Sequence, residues 1–206
     1  MGTKERRARA LQETRDRILD AAREMFVSDG VEAVTMRAIA ERIEYTPTAI
    51  YHHFRDKNAL IRELAEHDMG PLVHAFERIE KVEDPIERLR RIGLAYIRFG
   101  LENPNHYRFL FMSPSRGKTR AQEKRHERGA YGFLRKTVAE AISSGRLLPE
   151  LKDADKVSVV CWSAVHGIVS LSIVFQEDTW IRWPEPADAG RISVYALVRG
   201  LLRPGA

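Results

Sequence analysis

The stretch Thr35–Leu60, TMRAIAERIEYTPTAIYHHFRDKNAL, decides the fold. Ala38, Ile39 and Ile43 recur at the spacing of one helix face and are followed by Thr46-Pro47. A threonine hydroxyl there can accept a hydrogen bond from an otherwise unpaired N–H at the start of the next helix. Proline is best tolerated at the first helical position, where its missing donor would have no partner anyway. A helix, about three residues of turn and a capped short helix outline a helix-turn-helix, whose second helix enters the DNA major groove. Double-stranded DNA is therefore the first expected partner.

The individual residues sharpen that expectation. Ile50 and Phe54 are four apart, so they share one face of the second helix and can pack against Ile39 and Ile43. The opposite face carries Thr46, Thr48, Ala49, Tyr51 and His52, short or flat side chains suited to base edges, thymine methyls and phosphate oxygens. Arg37 and Lys57 stand near helix starts, where backbone N–H groups already favour anions. The expected DNA-contacting set is thus Arg37, Thr46, Pro47, Thr48, Ala49, Tyr51, His52 and Lys57.

Residues Val34 to Leu60 resemble the DNA-binding domain of the TetR family of transcriptional regulators. The matching elements are Ile39-Ala40 in the second helix, Tyr51-His52-His53-Phe54 in the third, and Lys57 shortly after. Upstream, Ile18 to Phe26 and Gly30 are similar to the family's first helix and its stop. One departure stands out: the family usually has glycine in the turn, and this chain has Glu44. A left-handed residue other than glycine costs roughly 1 kcal/mol or more, and a carboxylate near phosphates is repulsive. The resemblance implies an all-α protein, with a three-helix N-terminal domain and a larger helical ligand-binding and dimerisation domain. It also implies a regulator, in the commonest case a ligand-responsive repressor on a palindromic operator. The alternative is a small-molecule-binding helical protein whose helix-turn-helix is degenerate, with Glu44 as its motive.

Composition agrees but decides less. The 206 residues carry 34 basic and 29 acidic groups, a net charge of +5. Residues 1–55 hold 10 basic and 9 acidic groups, hence +1, and the remainder 24 and 20, hence +4. Charge alone does not diagnose nucleic-acid binding. Lys4, Arg6, Arg7 and Arg9 form a local cluster that reads either as a flexible basic arm over residues 1–10 or as a solvated leader. A single cysteine, Cys161, lies in an apolar run, which excludes an internal disulfide and reads as a buried small hydrophobe. With no apolar leader at the N-terminus, a cytoplasmic location is expected.

Outside the motif the chain reads as helices: Leu11–Ser28, stopped by Gly30; a connector over Asn58–Ile79 that Pro71 should kink or interrupt; and Ile86–Leu101. Further on come a short helix from Pro104 to about Met112, a loop over Ser113–Lys118, and helices over Arg120–Ser144, Lys152–Gln176 and about Ala187–Leu202. Nothing alternates with period two, so no sheet is expected. The expected divisions are an arm over 1–10, the DNA-binding domain over 11–57 and the effector-binding and dimerisation domain over 58–206.

Val157–Gln176 has no charged residue and is long enough for a membrane span. Its serines, His166 and Gln176 are costly against lipid, so a helix buried all round is the better account and no membrane is expected. One stripe, with Trp162, Val165, Val169 and Phe175, is assigned to the core; another, with Val160, Ala164, Gly167 and Leu171, to a second copy. The last helix is also apolar on more than one face, through Ile192, Tyr195, Val198, Leu201 and Leu202. Together they predict a homodimer through the last two helices. Trp162 to Gly167 (WSAVHG) and Glu102 to Arg108 (ENPNHYR) resemble one group of TetR C-terminal domains marked by a Trp…His-Gly signature.

An effector pocket would draw on Tyr96, Phe99, His106, Phe109, Phe111, Met112, Trp162, His166 and Phe175, since ligand sites are mostly apolar with a few polar groups. Such aromatics equally serve as core. A small apolar effector is the expected ligand, and no cofactor is indicated. No H-E-x-x-H, G-x-S-x-G or glycine-rich phosphate loop occurs, so no enzyme is expected. His52 and His53 point to opposite sides of a helix, and no carboxylate near His67 and His74 completes an obvious set, so no metal site is expected either.

Overall fold

The computed structural model describes residues 2–113, 129–175 and 177–205. They form helices α1 (Thr3–Ser28), α2 (Met36–Arg42), α3 (Pro47–His53), α4 (Lys57–Ile79), α5 (Pro85–Glu102) and α6 (Pro104–Tyr107). A π-helical turn, Arg108–Met112, continues α6, and α7 (Ala130–Ser143), α8 (Ala154–Phe175) and α9 (Pro186–Leu201) complete the order. Among the described residues there is no strand. An isolated antiparallel bridge, Leu147 to Leu202, is the nearest approach to one. The expected loop over Ser113–Lys118, the charged first part of the helix over Arg120–Ser144, and Gln176 lie largely outside the described residues.

Two compact units result, and they do not follow the expected cut between residues 57 and 58. Residues 2–69 and 105–113 make one, while 70–104, 129–175 and 177–205 make the other. The division falls at Gly70-Pro71 inside α4, which runs through the proline without interruption. Proline at that position removes one internal hydrogen bond, yet the flanking turns hold the helix. The expected flexible arm is likewise corrected, because α1 is helical from Thr3. Gly2 N–H donates to Glu5 Oε2 at 2.9 Å and caps that start.

The first unit has one apolar core. Ile18, Leu19, Ala22 and Phe26 of α1 meet Ile39 and Ala40 of α2, Ile50 of α3, and Leu60 and Leu64 of α4. Phe109 of the π-helical turn stacks on Phe26, with ring centroids 5.9 Å apart. Arg23 is buried in this unit and is held by a bidentate pair, Nε to Asp68 Oδ2 and Nη2 to Asp68 Oδ1, both 2.7 Å. Its Nη1 donates to Asp20 Oδ1 at 2.7 Å. A second charged link joins Arg15 to Glu63.

In the second unit α5, α7, α8 and α9 pack together. Two glycines set the close approach of α5 and α9: a Cβ on Gly93 would lie 2.9 Å from Val194 Cγ2, and one on Gly190 would lie 2.9 Å from Ile97 Cδ1. Buried Arg88 donates to the Val82 and Glu83 carbonyls at 2.9 and 3.1 Å and to Glu140 Oε2 at 2.6 Å, tying the turn before α5 to α7. Gly145, at φ +70°, ends α7 as expected.

α8 departs from the helix expected to be buried all round. Val157, Ser158, Cys161, Val165, Val169 and Ser172 form its buried stripe, whereas Trp162 is 36 % exposed and Val160, Leu171 and Val174 are open. By length and composition alone it would suit a membrane span, and much of its apolar surface is not buried within the chain. Burial pushes the Cys161 thiol up to about 11, so the thiolate is scarce near neutral pH.

Removing one partner of a buried ion pair strands the other charge. Asp68→Ala should therefore destabilise the chain by about 3 kcal/mol, with Asp20 limiting the loss. Urea unfolding followed by circular dichroism measures it. A change within error of wild type would show that the pair contributes nothing.

Candidate nucleic-acid interface

Local sequence chemistry shapes the two short helices that matter most. Thr35 caps α2, its hydroxyl accepting from Ala38 N–H at 3.1 Å, and Thr46 caps α3, accepting from Ala49 N–H at 3.3 Å. Pro47 occupies the first position of α3, as its fixed φ favours. Ile50 and Phe54 are buried in the unit's core, so α3 is pinned through one side. The side left open carries Thr46, Pro47, Thr48, Tyr51 and His52 as exposed residues, with Ala49 half-buried between them. Tyr51 is 54 % exposed, far more than a structural tyrosine needs.

The turn between α2 and α3 is strained. Glu44 sits at φ +60°, the one non-glycine residue at positive φ among those described. Two hydrogen bonds hold it there: Glu44 N–H to the Glu41 carbonyl at 3.2 Å, and Tyr45 N–H to the Ala40 carbonyl at 2.9 Å. The sequence expectation of a left-handed turn without glycine is therefore met.

Charged side chains around α3 are mostly engaged. Arg37 Nε donates to Glu41 Oε1 at 2.8 Å, and that hydrogen bond raises the guanidinium above its ordinary value. Arg55 donates to Asp56 at 3.0 Å, and Lys57 Nζ reaches the Glu32 carbonyl at 3.4 Å. Asp56 caps α4 by accepting from Ala59 N–H at 2.7 Å; that bond, with Arg55, holds its carboxyl below the usual range. Exposed pairs of this kind are weak in water and readily exchange partners. A phosphate can draw Arg37 away at little cost. Sequence reasoning missed Arg17, whose guanidinium lies 5.3 Å from the centroid of the Tyr45 ring beside the turn. Only the fold brings two residues so distant in sequence together.

The nine residues assigned to an effector pocket divide between the two units. His106, Phe109, Phe111 and Met112 belong to the first, where Phe109 is core and Phe111 lies 5.0 Å from the Tyr107 ring. Tyr96, Phe99, Trp162, His166 and Phe175 belong to the second. Three of these converge on one hydroxyl: Trp162 Nε1 donates to Tyr96 Oη at 2.9 Å, and Tyr96 Oη lies 3.1 Å from His166 Nδ1. Burial lowers the His166 pKa, which favours the neutral ring as acceptor of the tyrosine proton. Phe175 instead stacks on Trp183 at 6.2 Å, and Phe99 is buried. An open groove lined by Val73, Phe76, Glu77, Tyr131, Phe133 and Lys136 contains none of the nine.

Residues 18–64 match the N-terminal domain of the bacterial regulatory proteins of the tetR family, and residues 89–189 match a tetracyclin repressor-like C-terminal domain. The HTH-type transcriptional regulator UidR of Escherichia coli is 36 % identical over 93 residues, 43 % of this chain and 46 % of UidR. That alignment thus spans less than half of UidR's length. The HTH-type transcriptional regulator TtgR of Pseudomonas putida is 27 % identical over 190 residues, 86 % of this chain and 84 % of TtgR. Among solved structures, a TetR family transcription regulator from Marinobacter aquaeolei superposes with a TM-score of 0.76 at 19 % identity. The superposition covers 95 % of this chain and 98 % of that one, a likeness of fold.

The strained turn and the shared hydroxyl can each be tested by one substitution. Glu44→Gly relieves the left-handed strain and should stabilise the chain by about 0.5–1 kcal/mol in chemical denaturation; a loss of stability would mean the glutamate side chain has a compensating role. Tyr96→Phe removes the hydroxyl that links Trp162 Nε1 and His166 Nδ1. It should cost about 1–3 kcal/mol and change the tryptophan emission spectrum, and an unchanged spectrum with unchanged stability would dissolve the triad's importance.

Proposed function

The chain belongs to the TetR family of bacterial regulatory proteins, and on that premise we propose that it is a DNA-binding transcriptional regulator. It acts as a homodimeric repressor in the cytoplasm, inserting α3 of each subunit into adjacent major grooves of a palindromic operator. The observation that carries this is the capped, core-anchored α3 that leaves Thr48, Tyr51 and His52 exposed on its other side. Tyr51 and Lys57 grip phosphates, Arg37 joins them, and Thr46, Thr48, Ala49 and His52 meet base edges beside Pro47.

The last two helices supply the dimer contact. Val160, Leu171 and Val174 of α8 are open to solvent in the single chain, as are Ile192 and Tyr195 of α9 at 68 % and 50 %. A small apolar effector binds in the second unit beside the Tyr96–Trp162–His166 hydrogen bonds and acts through α4, which belongs to both units. By linkage, DNA weakens effector binding by the factor with which effector weakens DNA binding.

A second reading is favoured by Glu44, whose carboxylate occupies a strained turn on the DNA side: a small-molecule-binding protein with a degenerate helix-turn-helix. Selection from random duplex DNA at near-physiological salt separates the two. The regulator should enrich a palindrome with half-sites about 34–36 Å apart, and Lys57→Ala and Tyr51→Phe should weaken binding to it while melting like wild type. No enriched sequence, or enrichment indifferent to both substitutions, would leave the degenerate reading standing.

A further inference from the structure

The part of α4 that lies in the DNA-binding unit ends in a side-chain cluster that DNA binding leaves unused. One ligand atom from each of His67, Asp68 and His106 lies within 4.8 Å of the other two. His67 and Asp68 are consecutive on α4, His106 comes from α6, and all belong to one compact unit. The sequence hides this set because His106 is distant in the chain, and helical spacing pairs His67 with His74 instead.

Asp68 Oδ1 is 3.1 Å from His67 Nδ1 and 3.5 Å from His106 Nε2. Tetrahedral coordination with bonds of ~2.0–2.1 Å places donor atoms ~3.3–3.4 Å apart. The two separations bracket that value, and the ligand atoms of the two histidines lie within 4.8 Å of each other, so side-chain rotation alone can close the set on an ion. We propose that His67, Asp68 and His106 form a binding site for a late first-row divalent cation, zinc foremost, with water in the fourth position.

Chemistry and charge favour this assignment. Two imidazoles and one carboxylate suit zinc and its neighbours, whereas magnesium and calcium take oxygen ligands. Asp68 is fully buried and its carboxylate is oriented by Arg23 through two 2.7 Å hydrogen bonds, as an outer-shell partner orients a metal ligand. The guanidinium opposes a cation, but Asp20 also pairs with it at 2.7 Å. Two carboxylates against one guanidinium leave the cluster net negative, so a divalent ion is attracted. The His67 side chain is 46 % exposed and gives the ion a way in from solvent. Once bound, the ion would cross-link α4 to α6.

Chelator-stripped full-length protein, free of DNA, is melted with zinc chloride and separately with magnesium chloride, and zinc stoichiometry is measured by equilibrium dialysis. Zinc should raise Tm by several degrees with one ion bound per chain, and magnesium should not. His67→Gln, at a half-exposed position outside the core, should lose about tenfold or more in zinc affinity, and His106→Gln should do the same. No zinc-dependent shift, a magnesium shift as large as the zinc shift, or zinc affinity unchanged by His67→Gln would overturn the proposal. Since no DNA is present, the result stands apart from the fate of the operator reading.

Discussion

The position of the recognition helix depends on a charged clamp between α1 and α4. α3 has seven residues, and isolated helices below about 12 residues are marginal in water. Its orientation is therefore imposed from outside. α1 lies on one side through Ile18, Leu19 and Phe26, and three residues separate the end of α3 from the start of α4. Arg23 to Asp68 and Arg15 to Glu63 fix the register of α4 along α1. A slide of one turn, about 5.4 Å, would break both links, whereas the apolar contacts of Leu60 and Leu64 alone could re-form with neighbouring side chains. Buried pairs often add little net stability relative to an apolar replacement. What they add here is a single permitted alignment. Arg15 extends that control to α3, since it lies 4.8 Å from the Phe54 ring centroid and donates to the His53 carbonyl at 3.4 Å.

Charge around the interface is arranged rather than abundant. The first 55 residues are nearly neutral, and several cations beside α3 already have carboxylate or carbonyl partners. Such a surface gains less from non-specific counterion release than a strongly basic one. On the proposed reading, selectivity would fall more heavily on the exposed Thr48, Tyr51 and His52. Glu44 works in the same direction, because a carboxylate at the turn penalises any backbone path that brings phosphates close to it. The strain at φ +60° and this repulsion share a residue, and the closely held turn keeps both in place.

The features legible in the sequence were those carried by local chemistry. Thr46-Pro47 marked the start of α3, the Ile50 and Phe54 spacing marked its buried side, and Gly145 marked the end of α7. Glu44 was legible as a departure because turn stereochemistry is local too. What escaped depended on contacts between distant segments. Phe109 looked like a pocket aromatic and is instead part of the DNA-binding unit's core, since the segment after α5 returns to α1. Trp162 looked like a core residue by helical spacing, but the buried stripe of α8 runs one position away through Cys161. Asp68 gave no sign of joining Arg23 and two histidines, because a charged residue in an apolar helix face looks like an interruption until its partner is placed. The Gly70-Pro71 pair was legible as a discontinuity, although it marks a boundary between packing units and not a break in the helix.

α8 and α9 carry the exposed apolar side chains on which the proposed dimer rests. A 22-residue helix without charge through most of its length buries one stripe and leaves Val160, Leu171 and Val174 open. Ser170 and Ser172 satisfy themselves by donating to the His166 and Ile168 carbonyls at 2.8 Å, so the helix surface tolerates an apolar neighbour of either kind. The choice between lipid and protein is made by α9, which packs beside it. There Ile192 and Tyr195 are exposed, but so are Asp188, Arg191 and Arg199 on the same short helix. Charges interleaved with apolar side chains at that spacing are costly against hydrocarbon and ordinary at the rim of a protein interface. Arg191 is already paired with Asp188 at 2.8 Å, an arrangement that survives at a wet rim and would have to be dismantled in a bilayer. In the proposed dimer, a four-helix contact between two copies would cover the open stripes and leave those charges in water.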